Sequence, residues 1–144
     1  MKPFILSIFS LLFCVATASA QPDRVITREQ LPTAAQQFLS EYFPSADIAT
    51  VREEGSLLRR EYDVFFHNGT HIEFSADGQW QELSSREALP QGIVPQRIAA
   101  YVGEHYPMQP VVHIERSGKE WEVELVNGME LKFDSRFQLI DVDD

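Results

Sequence analysis

The sequence predicts an α+β fold: a tandem duplication in which each copy is a helix followed by an antiparallel four-stranded sheet, the helix packed on one sheet face. Three observations lead there. Pro32 to Pro44 encloses Phe38, Glu41 and Phe43, and Pro95 to Pro107 encloses Tyr101, Glu104 and Tyr106 at the same spacing. Further on, Glu61-Tyr62-Asp63-Val64 falls on Glu120-Trp121-Glu122-Val123, Asn68-Gly69 on Asn127-Gly128 and Phe74 on Phe133, once four residues are deleted from the second copy. Within each copy the apolar period changes from that of a helix to that of a strand.

The first twenty residues stand outside this fold. Lys2 precedes the apolar run Phe4 to Val15, and Ala18-Ser19-Ala20 supplies small residues for cleavage after Ala20, as in a secretory signal peptide. The run is shorter than the roughly 20 residues that span a bilayer, so no membrane insertion is expected. Phe13 before Cys14 is too bulky for a lipoprotein site. Cleavage removes the only cysteine, so the product, periplasmic or secreted, must be held together by core burial rather than by disulfides.

Each copy opens with a helix. Proline at the first helical position loses no hydrogen bond, and the closing Pro44 or Pro107 stops the helix. Ala35, Phe38, Leu39 and Tyr42 form one apolar stripe, as do Ile98, Tyr101, Val102 and His105. On that stripe His105 is expected to be a hydrogen-bonded core residue.

Strands are predicted at about 47–53, 60–66, 70–75 and 79–83, and again at 111–116, 120–125, 129–134 and 138–142. Alternation is cleanest in Glu120-Trp121-Glu122-Val123-Glu124-Leu125, where one face is apolar and the other acidic. A two-residue turn on Asn127-Gly128 would set Val123 against Lys132. A three-residue loop with left-handed Gly128 pairs Leu125 with Met129, Val123 with Leu131 and Trp121 with Phe133, all on one face. The same loop in the first copy pairs Phe66 with Thr70, Val64 with Ile72 and Tyr62 with Phe74.

Lys plus Arg number 12 against 22 Asp plus Glu, a net charge of -10, which removes nucleic acid as a partner because phosphates need clustered cations. No phosphate loop, HExxH, GxSxG or EF-hand loop occurs, and no thiol remains after cleavage. His67 and His71 flank the first hairpin loop near Asp63 and Glu73, without the tight spacing of a zinc site. No metal, no cofactor and no catalysis are expected. On the outward face of the second sheet stand Glu120, Glu122, Glu124, Glu130 and Lys132; on the first stand Asp63, Phe65, His71 and Glu73. Phe65 is the odd member, either covered by another part of the chain or a binding anchor.

The phrases LPTAAQQFLSEYFPSADI, EYDVFFHNGTHIEFSADGQWQEL, YVGEHYP and EWEVELVNGMELKFD resemble the PepSY-like family of exported proteins, also described as beta-lactamase-inhibitor-like. The resemblance covers the chain from about Ile26 onward. It implies 21–144 as a single PepSY-like domain of two repeats, 26–85 and 86–144. It also implies a helix on one face of each antiparallel sheet, and a non-enzymatic role, since the fold namesake blocks a hydrolase through its sheet surface. The chain departs from the pattern where Arg136-Phe137 replaces Asp77-Gly78. The expected function is an exported non-catalytic binding module, inhibitor-like, engaging an envelope or extracellular protein or peptide through the sheet face. Asp63, Phe65, His67, His71 and Glu73 are the candidate binding residues. The alternative is an envelope structural or sensory protein binding a small ligand at the repeat junction.

Overall fold

The computed structural model describes residues 23–144; the expected signal segment and its expected cleavage point after Ala20 lie outside the described residues. The elements are β1 (Arg24–Ile26), α1 (Thr33–Tyr42), β2 (Ile48–Ser56), β3 (Arg59–Phe66), β4 (His71–Ser75) and β5 (Trp80–Ser84). They continue with α2 (Gln96–His105), β6 (Val111–Ser117), β7 (Glu120–Leu125), β8 (Glu130–Phe133) and β9 (Leu139–Asp143).

The strands lie in chain order in one nine-stranded antiparallel sheet. This corrects the expected α+β architecture of two helix-plus-four-strand units. Among the described residues the fold is mostly β, with two ten-residue α-helices. The cause is a seam between β5 and β6, where Glu82 pairs with Glu115, Leu83 with Ile114 and Ser84 with His113. A four-stranded sheet ending at β5 would leave a row of unpaired N–H and C=O groups. The seam satisfies them and joins two apolar faces, since Leu83 and Ile114 are both fully buried. β1 adds the ninth strand by pairing Ile26 with Val51; three residues are too few for alternation to mark it in the sequence.

Both helices lie on the same side. Ala35 and Leu39 of α1 and Ile98 and Val102 of α2 share one core with Val64, Ile72, Leu83, Ile114, Val123 and Leu131. The halves repeat an aromatic contact: Phe38 meets the edge of Phe74 at 5.7 Å and Tyr101 that of Phe133 at 5.6 Å. Pro32 and Pro95 stand at the N-caps rather than at the first helical position, so each helix begins one residue later than expected. His105 is not in the core. It is exposed, stacked on Tyr101 at 4.0 Å, with Nδ1 3.0 Å from the Tyr101 carbonyl oxygen.

Both three-residue loops form as expected. Gly69 N–H donates to Phe66 O at 3.0 Å and Gly128 N–H to Leu125 O at 2.8 Å, with φ of 89° and 87° at the glycines. Asn68 and Asn127 each accept from the amide two residues on, at 2.9 and 3.1 Å. The pairs Tyr62 with Phe74, Val64 with Ile72, Trp121 with Phe133 and Val123 with Leu131 all result. The helices cover one face of the sheet and leave the other open.

Candidate functional site

Strand pairing converts alternation along each strand into rows across the open face. One row reads Arg52, Asp63, Glu73, Glu82, Glu115, Glu122, Lys132. Five carboxylates therefore stand side by side on five adjacent strands between Arg52 and Lys132, and beyond Lys132 the row continues to Asp141. Like charges directly opposite one another destabilise a sheet, so such a row needs compensation. His71 Nε2 lies 2.5 Å from Asp63 Oδ1, His113 Nε2 lies 2.9 Å from Glu82 Oε1, and Lys132 Nζ lies 3.6 Å from Glu122 Oε2. Among the described residues no ion pair reaches Glu73 or Glu115.

The electrostatics follow from this crowding. Asp63, itself buried, holds the His71 imidazolium through their hydrogen bond and raises its pKa against the opposing effect of burial; the charges of Asp63, Glu82 and Glu73 add to the rise. Burial, and then the charges of Glu61, Asp63 and Glu82, push the Glu73 carboxyl up. At the edge of the face Glu54 is raised in the same way, by burial and by the charges of Asp63 and Asp23.

Phe65 lies in the neighbouring row. It is half-buried, stacked on His71 at 4.5 Å and 11°, with the Arg52 guanidinium 5.2 Å from its ring centroid. Its cover is thus two side chains of its own face. Of the five residues singled out in the sequence, the fold brings Asp63, Phe65, His71 and Glu73 into one patch. His67 stands apart in the loop, with Nε2 3.9 Å from Asp47 Oδ2. Arg52, Glu82, His113 and Glu115 join the patch without having been singled out. Alternation in β6 already sets His113 and Glu115 on one side; the seam that carries them beside Glu82 leaves no local signal.

Ser84 sits between His71 and His113 in the register, but among the described residues no hydrogen bond joins its hydroxyl to either ring, so no nucleophile and base are paired. Among the described residues no three His, Asp or Glu side chains converge as a metal cage would require. The arrangement is a linear row of carboxylates with an aromatic at one end.

The family model described as "Putative beta-lactamase-inhibitor-like, PepSY-like" matches residues 60–141. The chain belongs to the PepSY-like family. Solved structures of similar proteins extend the match. A "putative periplasmic protein from DUF2874 family" of Bacteroides vulgatus is 39% identical, with a TM-score of 0.83, covering 87% of this chain and 99% of that one. A "putative calcium-regulated periplasmic protein" of Bacteroides thetaiotaomicron is 40% identical, with a TM-score of 0.82 and coverage of 85% and 97%. A second Bacteroides vulgatus protein, "of unknown function", is 30% identical, with a TM-score of 0.79 and coverage of 85% and 100%. No curated protein matches the chain. In this PepSY-like chain the family match begins at Arg60 and so takes in Asp63, Phe65, His71 and Glu73, together with the seam and the second half of the carboxylate row.

Proposed function

We propose that this chain is an exported, non-catalytic module that binds a positively charged protein or peptide segment on its open sheet face, in the manner of an inhibitor of a cell-envelope hydrolase. The five-carboxylate row carries the reading. Neutralising it relieves like-charge crowding in the fold, so a cationic partner gains more than it would on a dispersed acidic surface. The net charge of -10 steers such a partner toward the protein. Phe65, framed by Arg52 and His71, supplies an apolar anchor beside the charges. The leader-like pattern up to Ala20 and the periplasmic descriptions of the similar proteins support action in the periplasm.

The spacing favours a helical partner. Adjacent strands lie about 4.7–4.9 Å apart, close to the about 5.4 Å rise of one helical turn and far from the about 6.7 Å between same-face residues of an extended chain. A helix with Lys or Arg once per turn lays its charges along the row.

The test is fluorescence anisotropy of a labelled alanine-based helical peptide with lysines spaced alternately three and four residues apart, titrated with residues 21–144. Binding is expected to weaken between about 0.01 M and 0.15 M salt, as the screening length falls from about 30 to 8 Å, and to be lost in the double variant Glu73→Lys, Glu115→Lys. Calcium belongs in the titration as a variable, given the description of the Bacteroides thetaiotaomicron protein. Equal binding by the double variant would sink the proposal.

A further inference from the structure

We infer that the cleft at the junction of the two halves is a second site, for a small uncharged apolar molecule. The segment leading from β5 into α2, α2 itself and the loop that follows it enclose about 360 Å³. Small-molecule sites occupy about 300–1,000 Å³ and favour junctions of this kind. Fifteen residues line the cleft and none is charged, in a chain of which 24% is charged. An ionic ligand would give up its hydration and meet no counter-charge.

The chain makes this space by omission. Gly103 lies inside α2, where glycine is destabilising relative to alanine, and a Cβ built on it meets nothing within 4 Å. The matching position in α1 is Ser40, whose hydroxyl donates to Gln36 O and accepts from Arg28. Pro90, Pro107 and Pro110 stiffen the walls, so little ordering is needed on binding. At the mouth Met108 is 94% exposed with a φ of 71°, a flexible thioether held outward by a backbone conformation that side chains disfavour. Val102 and Val111 of the lining belong to the core on the helix side of the sheet. The cleft therefore lies on the face opposite the carboxylate row, and the inference does not depend on that row.

The test follows ¹H–¹⁵N spectra of residues 21–144, which include every described element, during titration with 2-naphthol and with its charged counterpart naphthalene-2-sulfonate. Saturable shifts are expected for 2-naphthol at residues 88–94 and 99–111, with the sulfonate at least about ten-fold weaker, a difference of about 1.4 kcal/mol. Gly103→Leu, which fills the cleft, should abolish the shifts while retaining binding of the cationic peptide. Ala99→Phe fills the same wall should the leucine variant fail to fold. The inference is overturned if shifts do not saturate by about 1 mM probe, if the sulfonate binds equally, or if a folded filling variant binds 2-naphthol unchanged. Shifts at the same residues that grow with protein concentration alone would assign the cleft to a second copy of the chain and overturn it equally.

Discussion

The turn between β4 and β5 and the turn between β8 and β9 close with the same two hydrogen bonds, yet one is built on glycine and the other on phenylalanine. Gly78 N–H donates to Ser75 O and Ser75 N–H to Gln79 O; Phe137 N–H donates to Asp134 O and Asp134 N–H to Gln138 O, all at 2.8 to 2.9 Å. Both turn residues are left-handed, with φ of 83° and 62°. A Cβ on Gly78 would stand 2.8 Å from Pro32 Cβ and 2.9 Å from the Ala35 nitrogen, because α1 presses on the turn. Phe137 instead turns its ring to Trp121 at 5.7 Å, and Arg97 of α2 reaches over to donate to Arg136 O at 2.7 Å. Left-handed backbone costs a non-glycine residue about 1–2 kcal/mol, and half-buried Phe137 contributes part of the about 1.5–3 kcal/mol of a fully buried phenylalanine. Packing offsets the strain. The helix positions obey the same rule, Ala35 above Gly78 and its counterpart Ile98 in the half that holds Phe137. One hydrogen-bonded frame therefore accepts two helix seatings, provided that helix and turn residues change size together.

The largest expected effect tests what the halves share. Phe74 and Phe133 are fully buried and each receives an aromatic from its helix, so Phe74→Ala and Phe133→Ala should each cost about 3–5 kcal/mol in denaturant titrations. A difference between them of more than about 1 kcal/mol, half the spread usual for such changes, would mean that the cores are not equivalent. Trp121→Ala should cost less than Phe133→Ala, because Trp121 is half-buried at the rim, against Trp80 and Phe137.

Next come the exchanged turns. Gly78→Phe brings left-handed strain together with overpacking against α1, about 3–4 kcal/mol in all. Phe137→Gly relieves strain but loses a half-buried ring, two effects of similar size, for a net change within about 1 kcal/mol. Equal changes in the urea midpoint would show that the gap between helix and turn does not distinguish the halves.

The same asymmetry separates what could be read in the sequence from what could not. Alternation and the Asn-Gly loops fix the register of both hairpins, because a one-residue slip would move Val64, Ile72, Val123 and Leu131 to the wrong face. Nothing local announces the seam. Glu82-Leu83-Ser84 and His113-Ile114-Glu115 carry outward-facing acids that discourage pairing by charge, and the fold joins them for the sake of Leu83 and Ile114. Reading two separate sheets therefore hid half of the carboxylate row. His105 was misplaced for a related reason: it is the last residue of α2, and the last position of the stripe is exposed and stacks on Tyr101 instead of entering the core.

On the open face the halves differ most at Phe65, whose counterpart is Glu124. Copying the second half with Phe65→Glu places a carboxylate near Arg52 and should leave the melt close to wild type. Peptide binding should weaken by about 2 kcal/mol, as when a central aromatic anchor is lost. An unchanged affinity would assign binding to the charges alone. A large loss of stability would instead make Phe65 part of the fold's own packing.

The smallest expected effect is a slope with pH, and it too belongs to the first half. At the positions of Asp63, His71 and Glu73 the second half has Glu122, Glu130 and Lys132, with Lys132 paired to Glu122. His71 takes up its proton more readily in the folded chain, so its contribution is complete below the unfolded value near 6.5 and is lost as pH rises through the raised folded value. Glu73 acts in the same direction. Its carboxyl holds its proton more firmly when folded, so a penalty absent below about pH 4.3 grows with rising pH until it is complete above the raised folded value. Urea midpoints should therefore fall from mildly acidic to mildly alkaline pH. Glu73→Lys copies the second half, removes the Glu73 penalty and opposes protonation of His71, so its profile should be flatter than wild type. His71→Gln should keep only the more acidic part of the fall. A wild-type midpoint that stays level or rises between about pH 6 and 8, the range around the ordinary histidine value, would mean that the Asp63 to His71 hydrogen bond adds nothing to stability.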